Sequence, residues 1–181
     1  KTNIQPENYD DFANYCYDVV EHFIDDGIPV KFLSPINEPQ WDWYNGQEGC
    51  HYSAKETRAL YLAFLDELEK RPELLSKLHL SGPESGEWGG MAKDYTQAIL
   101  GNERLAAHFD AIDNHSYWSN NIAKESFRNW MKIHYPDTKL RMSEWCEMVN
   151  GSDVTMDSAF HIAQQIAEDL TILNVVSWSN W

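Results

Sequence analysis

Five times in succession the chain runs a helically spaced apolar stripe into a short apolar run with no helical period. That repetition limits the available folds more than any single residue does. From Tyr9 to Asp26 the stripe Phe12, Cys16, Val19 and Phe23 predicts a helix stopped at Gly27. "IPVKFLSPI", bounded by Pro29 and Pro35, then reads as a strand buried on both faces. Ser53 to Glu56 forms a capping box that opens a second helix, with Leu60, Phe64 and Leu68 on its apolar side and Pro72 closing it, and "LHLSGPE" follows as a strand. A helix near Met91 to Leu100 leads to "FDAIDNH", and one from about Ile122 to His134 leads to "KLRMSE". The last, roughly Thr155 to Leu173 with Phe160, Ala163, Ile166 and Leu170 on one face, runs into "NVVSW".

Strands joined through helices of this length need crossover connections, and crossovers give a parallel sheet. The expected strand ends fall near positions 36, 82, 114, 143 and 177. Spacings of about 30 to 45 residues suit consecutive staves of a (β/α)8 barrel, with a doubly wound open sheet as the competing architecture. Nucleotide binding loses weight, because "SGPESGEWGG" has glycines without the spacing of a phosphate loop.

The formal charge of −15, from 14 Lys plus Arg against 29 Asp plus Glu, is scattered along the chain. Nucleic acid and anionic membranes would be repelled. No run approaches the roughly 18 consecutive apolar residues of a membrane span. Cys16, Cys50 and Cys146 are an odd count without disulfide-scaffold density. The chain starts on Lys1 rather than Met and is expected to be a piece of a longer protein.

In parallel α/β folds the C-terminal ends of the strands converge on one rim, where chemistry sits. Those ends carry Asn37 and Glu38, then Glu84, His115 and Tyr117, Glu144, and finally Trp178 and Trp181. Glu38 and Glu144 are placed to face each other across the rim, as glycosidic cleavage requires of an acid and a second carboxylate. A lone glutamate at a strand end is more often a solvated rim residue, but these two have telling neighbours. Asn37, Trp41 and Trp43 flank Glu38, and Trp145 follows Glu144. Seven of the eight tryptophans, Trp41, Trp43, Trp88, Trp118, Trp145, Trp178 and Trp181, follow or end strands, which predicts a rim of indoles for stacking on sugar rings. Trp130 sits inside a helix and is expected in the core. His115 and Tyr117, two apart, should point the same way and orient Glu144 or a substrate hydroxyl. The dispersed histidines offer no HxH, HExxH or CxxC, so neither metal nor cofactor is expected. Serine catalysis lacks a GxSxG elbow.

At "SPINEPQWDW", "NHSYW", "RMSEW" and "VVSWSNW", in that order, the sequence resembles glycoside hydrolase family 30, within the clan of retaining (β/α)8 glycosidases. The resemblance runs over essentially the whole chain. It implies that residues 1–181 are the C-terminal part of such a barrel, roughly strands four to eight. Strands one to three and any β-sandwich domain would come from the rest of the protein. It further implies Glu38 as general acid and base, Glu144 as nucleophile, and Asn37 as partner of the hydroxyl beside the anomeric carbon. His115 and Tyr117 match positions near the nucleophile, and Trp181 the floor under the sugar being cleaved. The expected partner is an oligo- or polysaccharide, and the expected location of the whole protein is secreted or periplasmic. "QWDWYNGQEGCHYS" looks most like the endo-β-1,6-galactanase branch. The alternative is a non-catalytic carbohydrate-binding protein on a degenerate barrel.

Overall fold

In the computed structural model, which describes residues 4–43, 49–148 and 154–181, helices and parallel strands alternate. Residues 44–48, inside the stretch that carries the galactanase resemblance, lie outside the described residues. The strands are β1 Phe32–Leu33, β2 His79–Leu80, β3 Pro83–Ser85, β4 Ala111–Asn114 and β5 Lys139–Met142. The helices are α1 Tyr9–Asp25, α2 Ala54–Leu68, α3 Pro72–Leu75, α4 Ala92–Leu100, α5 Glu103–Ala106, α6 Asn121–His134 and α7 Met156–Glu168. A π-helical turn, Asp169–Leu173, extends α7 and ends on Asn174 in the left-handed region.

β1 pairs with β2, β3 with β4 and β4 with β5, all parallel, and Met142 bridges in parallel to Trp178. β2 and β3 are two halves of one stave. Its first half bonds to β1 through the Ser81 N–H to the Leu33 carbonyl, and Gly82 then accepts from the Asp113 N–H. Each stave therefore lies beside the ones before and after it in sequence, without the order reversal that marks the switch point of a doubly wound sheet.

The helices clamp this sheet through buried phenols as much as through aliphatic packing. Tyr17 donates to the Phe64 carbonyl and Tyr61 to the Ser81 carbonyl, each at 2.7 Å. Each bond satisfies a polar tip that burial would otherwise penalise. The capping box of α2 forms as its sequence predicts, and Leu60, Phe64 and Leu68 are fully buried.

Three expectations need correction. In α1 the buried residues are Tyr9, Ala13, Tyr17 and Val20, while Val19 and Phe23 are exposed and Phe12 and Cys16 half-buried. Two adjacent apolar stripes compete there, and the one whose tyrosine reaches an acceptor on α2 faces inward. "IPVKFLSPI" is not buried on both faces: only Phe32–Leu33 is strand, with Phe32 exposed under the Arg141 guanidinium, 4.0 Å from its ring centre. Among the described residues β1 has a single strand neighbour, so one edge stays open. In α7, Phe160 and Ala163 point outward and Ile166 is half-buried, Leu170 on the following turn is exposed too, and the buried positions of α7 are the polar Ser158 and Gln165. No described helix is long and apolar enough to cross a membrane.

Gly82 has φ +122, and a Cβ there would come 2.0 Å from the Tyr61 hydroxyl. Gly82→Ala should therefore cost roughly 2–4 kcal/mol through strain and overpacking. Urea unfolding of the complete protein would show the loss, and an unchanged midpoint would contradict this packing.

Candidate active site

The site lies where the staves end. Just beyond β1 the chain turns through Glu38 at φ +43, and within β3 Glu84 sits at φ +58. Neither residue is one that the left-handed region favours, and the strain costs each about 1–3 kcal/mol. The Glu38 N–H donates to the Glu84 carbonyl at 2.8 Å, so the two turns brace each other. Gly86 supplies the space: a Cβ there would lie 2.9 Å from Glu38 Oε1 and 2.7 Å from Gln40 Nε2.

Into this gap β4 delivers His115, whose N–H donates to the Ser85 carbonyl at 2.7 Å. Its imidazole, 1% exposed, meets three carboxylates. Nδ1 is 3.0 Å from Glu38 Oε1 and 3.7 Å from Glu144 Oε1, and Nε2 is 3.4 Å from Glu84 Oε2. Burial by itself would lower the His115 pKa. The hydrogen bonds to Glu38 and Glu84 and the charges of Glu84 and Glu144 outweigh it and raise the pKa to about 9. The shift favours the protonated ring at neutral pH, with Nδ1 facing Glu38 and Nε2 facing Glu84.

Glu144, two residues beyond β5, also accepts at Oε1 from the Tyr117 hydroxyl at 3.1 Å. Burial, contact with the Cys146 thiol and the charge of Glu144 push the Tyr117 pKa upward, so the phenol stays a neutral donor. Glu38, His115 and Glu144 each offer one atom, all within 4.8 Å of one another. His115 and Glu144 line a cleft of about 640 Å³ together with Asn37, Trp43, Cys50 and Glu84, and Glu38 lies behind its lining.

The predicted indoles divide into two groups. Trp41 pairs edge-on with Trp118 at 5.5 Å. Trp145 packs against Trp178 and His161, and the Trp181 N–H donates to the Trp145 carbonyl at 3.0 Å. Trp145 is buried, so its broad faces serve packing; Trp178 is partly buried and Trp181 exposed. Trp88, expected on the rim, is wholly buried, stacked edge-on against Phe127 with its N–H on Ser116 Oγ. An indole with both an aromatic neighbour and an acceptor is satisfied in the core. Trp130, as expected, packs onto the core beside Phe127.

Behind the second group lies an ionic hub. Asp169, on the π-helical turn, accepts from Ser116 Oγ, Gln165 Nε2 and Trp178 Nε1, each at 3.0 Å, and pairs with Lys124 Nζ at 3.0 Å. Lys124 and Asp169 are both wholly buried. The hub fixes the residue after His115 and the indole of Trp178 together. Glu84, Ser116, Lys124 and Asp169 were not singled out as site residues from sequence. Glu84 was visible as a strand-end acid. Asp169 and Lys124 lie on helices, where charged residues usually mean solvent.

Glu38, His115 and Glu144 are the described residues with a donor set for a cation. All three cysteines are free.

A carboxylate trio around one imidazole thus stands at the ends of parallel strands, near paired indoles. The model of O-glycosyl hydrolase family 30 matches residues 1–126, and the chain belongs to that family. Among solved structures it is similar to a conserved exported protein from Bacteroides fragilis, with a TM-score of 0.81, 21% identity, and coverage of 99% of this chain and 42% of that one. A GH30 endoxylanase from Clostridium papyrosolvens aligns with a TM-score of 0.77 at 16% identity, covering 98% of this chain and 41% of that one. For an endo-β1,6-glucanase the values are 0.74, 18%, 97% and 38%. The chain thus spans about two fifths of the length of these structures. No curated protein matches the sequence.

Two expectations follow from the cluster and the hub. The folded His115 pKa, about 9, lies above its ordinary 6.5, so the cluster adds stability that is complete below pH 6.5 and lost as pH rises through about 9. The unfolding free energy of the complete protein should fall by on the order of 3 kcal/mol from this source, and His115→Gln should remove that slope; a slope surviving the substitution would contradict it. Lys124→Met leaves Asp169 buried without its cation and should cost roughly 3–5 kcal/mol in urea unfolding. A change below about 1 kcal/mol would place the hub in contact with water.

Proposed function

We propose that this chain forms strands four to eight of a (β/α)8 barrel belonging to a retaining glycoside hydrolase. The observation that carries the reading is the approach of Glu38 and Glu144, whose nearest oxygens lie within 4.8 Å at the ends of parallel strands. Retaining enzymes hold their two carboxyl groups about 5–5.5 Å apart, whereas inverting ones leave about 6.5–9.5 Å for a water. Consecutive parallel pairing without reversal supports the barrel over the open sheet.

In the first step Glu144 attacks the anomeric carbon. Its Oε1 is held by Tyr117 and faces His115, which makes Oε2 the attacking oxygen. Glu38, bonded to His115 through Oε1, donates a proton from Oε2 to the departing oxygen, and the glycosidic bond breaks as the glycosyl ester forms. Water then attacks the anomeric carbon of that ester, Glu38 takes its proton, and Glu144 leaves as carboxylate. Asn37 lines the cleft, suited to a hydroxyl beside the anomeric carbon, and the exposed Trp181, whose backbone N–H is tied to the Trp145 carbonyl, is the floor under the sugar being cleaved. A protein that only bound sugar would have no use for facing acids.

For substrate we propose a β-1,6-linked galactan, from the likeness of "QWDWYNGQEGCHYS" to the galactanase branch. A structural neighbour named as an endo-β1,6-glucanase is compatible with that linkage. The exported Bacteroides fragilis neighbour supports export of the whole protein.

Glu144→Ala in the complete protein should abolish turnover, whereas Glu38→Ala should lower kcat/KM by about 10²–10⁴ on substrates with poor leaving groups. Added azide should restore the Glu38→Ala variant by forming a glycosyl azide of retained configuration. Normal turnover by Glu144→Ala, or an azide product of inverted configuration from Glu38→Ala, would remove the assignment.

A further inference from the structure

Among the described residues, four other than glycine have a positive φ: Glu38, Glu84, Trp118 and Asn174. Asn174 caps a helical turn, a common place for asparagine. Glu38 and Glu84 belong to the carboxylate cluster. Trp118, at φ +51 in the loop after β4, is a bulky aromatic held where side chains are disfavoured. Nor is it repaid by burial, being 65% exposed.

What holds Trp118 is other aromatic rings. Its ring lies 5.5 Å from Tyr117, which donates to Glu144, and 5.5 Å edge-on from Trp41. Trp41 is itself 39% exposed, and its N–H donates to the Glu38 carbonyl at 3.2 Å. Two exposed indoles thus meet edge-on, Trp118 from a strained loop and Trp41 from the turn that carries Glu38, to which its backbone N–H is tied. A rigid aromatic surface left open to water suits a ligand with an apolar face and a hydroxylated edge, such as a pyranose ring.

The side of the cluster assigns the sugar. In the proposed mechanism the residue retained on the enzyme bonds to Glu144, which Trp145 follows in sequence. The departing residue takes its proton from Glu38, on whose turn Trp41 is tied.

We infer that Trp41 and Trp118 form a subsite for the departing sugar, so that the substrate extends at least one pyranose ring beyond the bond being cut. This inference rests on the double-displacement reading above. It adds that the strain at Trp118 is maintained for leaving-group recognition, and that a chain-like substrate is preferred over one with a small leaving group.

The test compares two substrates sharing the retained sugars, in the complete protein. One is β-1,6-galactotetraose, and the other is β-1,6-galactobiosyl fluoride, whose leaving group has no ring; a matching glucose-based pair is run beside them. Trp118→Ala and Trp41→Ala should each lower the ratio of kcat/KM, tetrasaccharide over fluoride, by about tenfold or more. Trp118→Gly should lower it equally while Tm holds or rises, since glycine accepts φ +51 without strain. A ratio within about twofold of the parent in both alanine variants, or equal losses on both substrates with a lowered Tm, would overturn the subsite. Release of the inverted anomer from the β-configured tetrasaccharide by the parent protein would refute the double-displacement reading itself, and the subsite with it.

Discussion

A protonated imidazole enclosed by three carboxylates is the contact on which the rest of this site depends. Left to burial alone, His115 would be neutral, and the acidic side chains of Glu38, Glu84 and Glu144 would meet with no cation between them. With the proton in place, one cation lies within 3.0 to 3.7 Å of an oxygen from each of them. The ring therefore sets the separation between Glu38 and Glu144, the quantity that decides which glycosidic chemistry the pair suits. Tyr117 completes the arrangement by engaging the same oxygen of Glu144 that His115 approaches.

The scaffold spends stability to keep that geometry. Glu38, Glu84 and Trp118 all occupy backbone conformations that side chains disfavour, and strain of this kind survives only where the surroundings over-determine it. Here the surroundings are specific. The Glu38 and Glu84 turns share a hydrogen bond, Gly86 leaves room for the Glu38 carboxylate, and Gly82 leaves room for the Tyr61 hydroxyl. On the far side the Lys124–Asp169 pair anchors Ser116 and Trp178 through a fully buried ionic contact. Such a pair adds little net stability by itself, yet it fixes the positions of its partners.

Much of this could be read from the sequence because each element carries a local signal. The capping box at Ser53, the stop at Gly27 and the helix end before Pro136 all fall where the structure has them. The strand-end positions of Glu38, His115, Tyr117 and Glu144 follow from counting helix-to-strand units. What escaped was the inward face of α1 and of α7. In α1 a tyrosine with a cross-helix acceptor outcompetes Phe23, and in α7 the polar Gln165 turns inward because Asp169 gives it a partner. Apolar periodicity cannot register a face whose burial is justified by hydrogen bonds. The same blindness put Trp88 on the rim, since only the fold reveals Ser116 beneath its N–H. The left-handed turns at Glu38, Glu84 and Trp118 have no sequence signature either, for nothing in those residue types favours positive φ.

In the proposed mechanism Glu38 and Glu144 act as acid and nucleophile on one anomeric carbon at retaining distance. The anomeric configuration of the first product released by the complete protein, followed by proton NMR before mutarotation, reads that mechanism out. The β-anomer should appear first, with the α-anomer growing in only as mutarotation proceeds. Initial release of the α-anomer would mean that water, not Glu144, attacks the sugar, and would rule out the two roles.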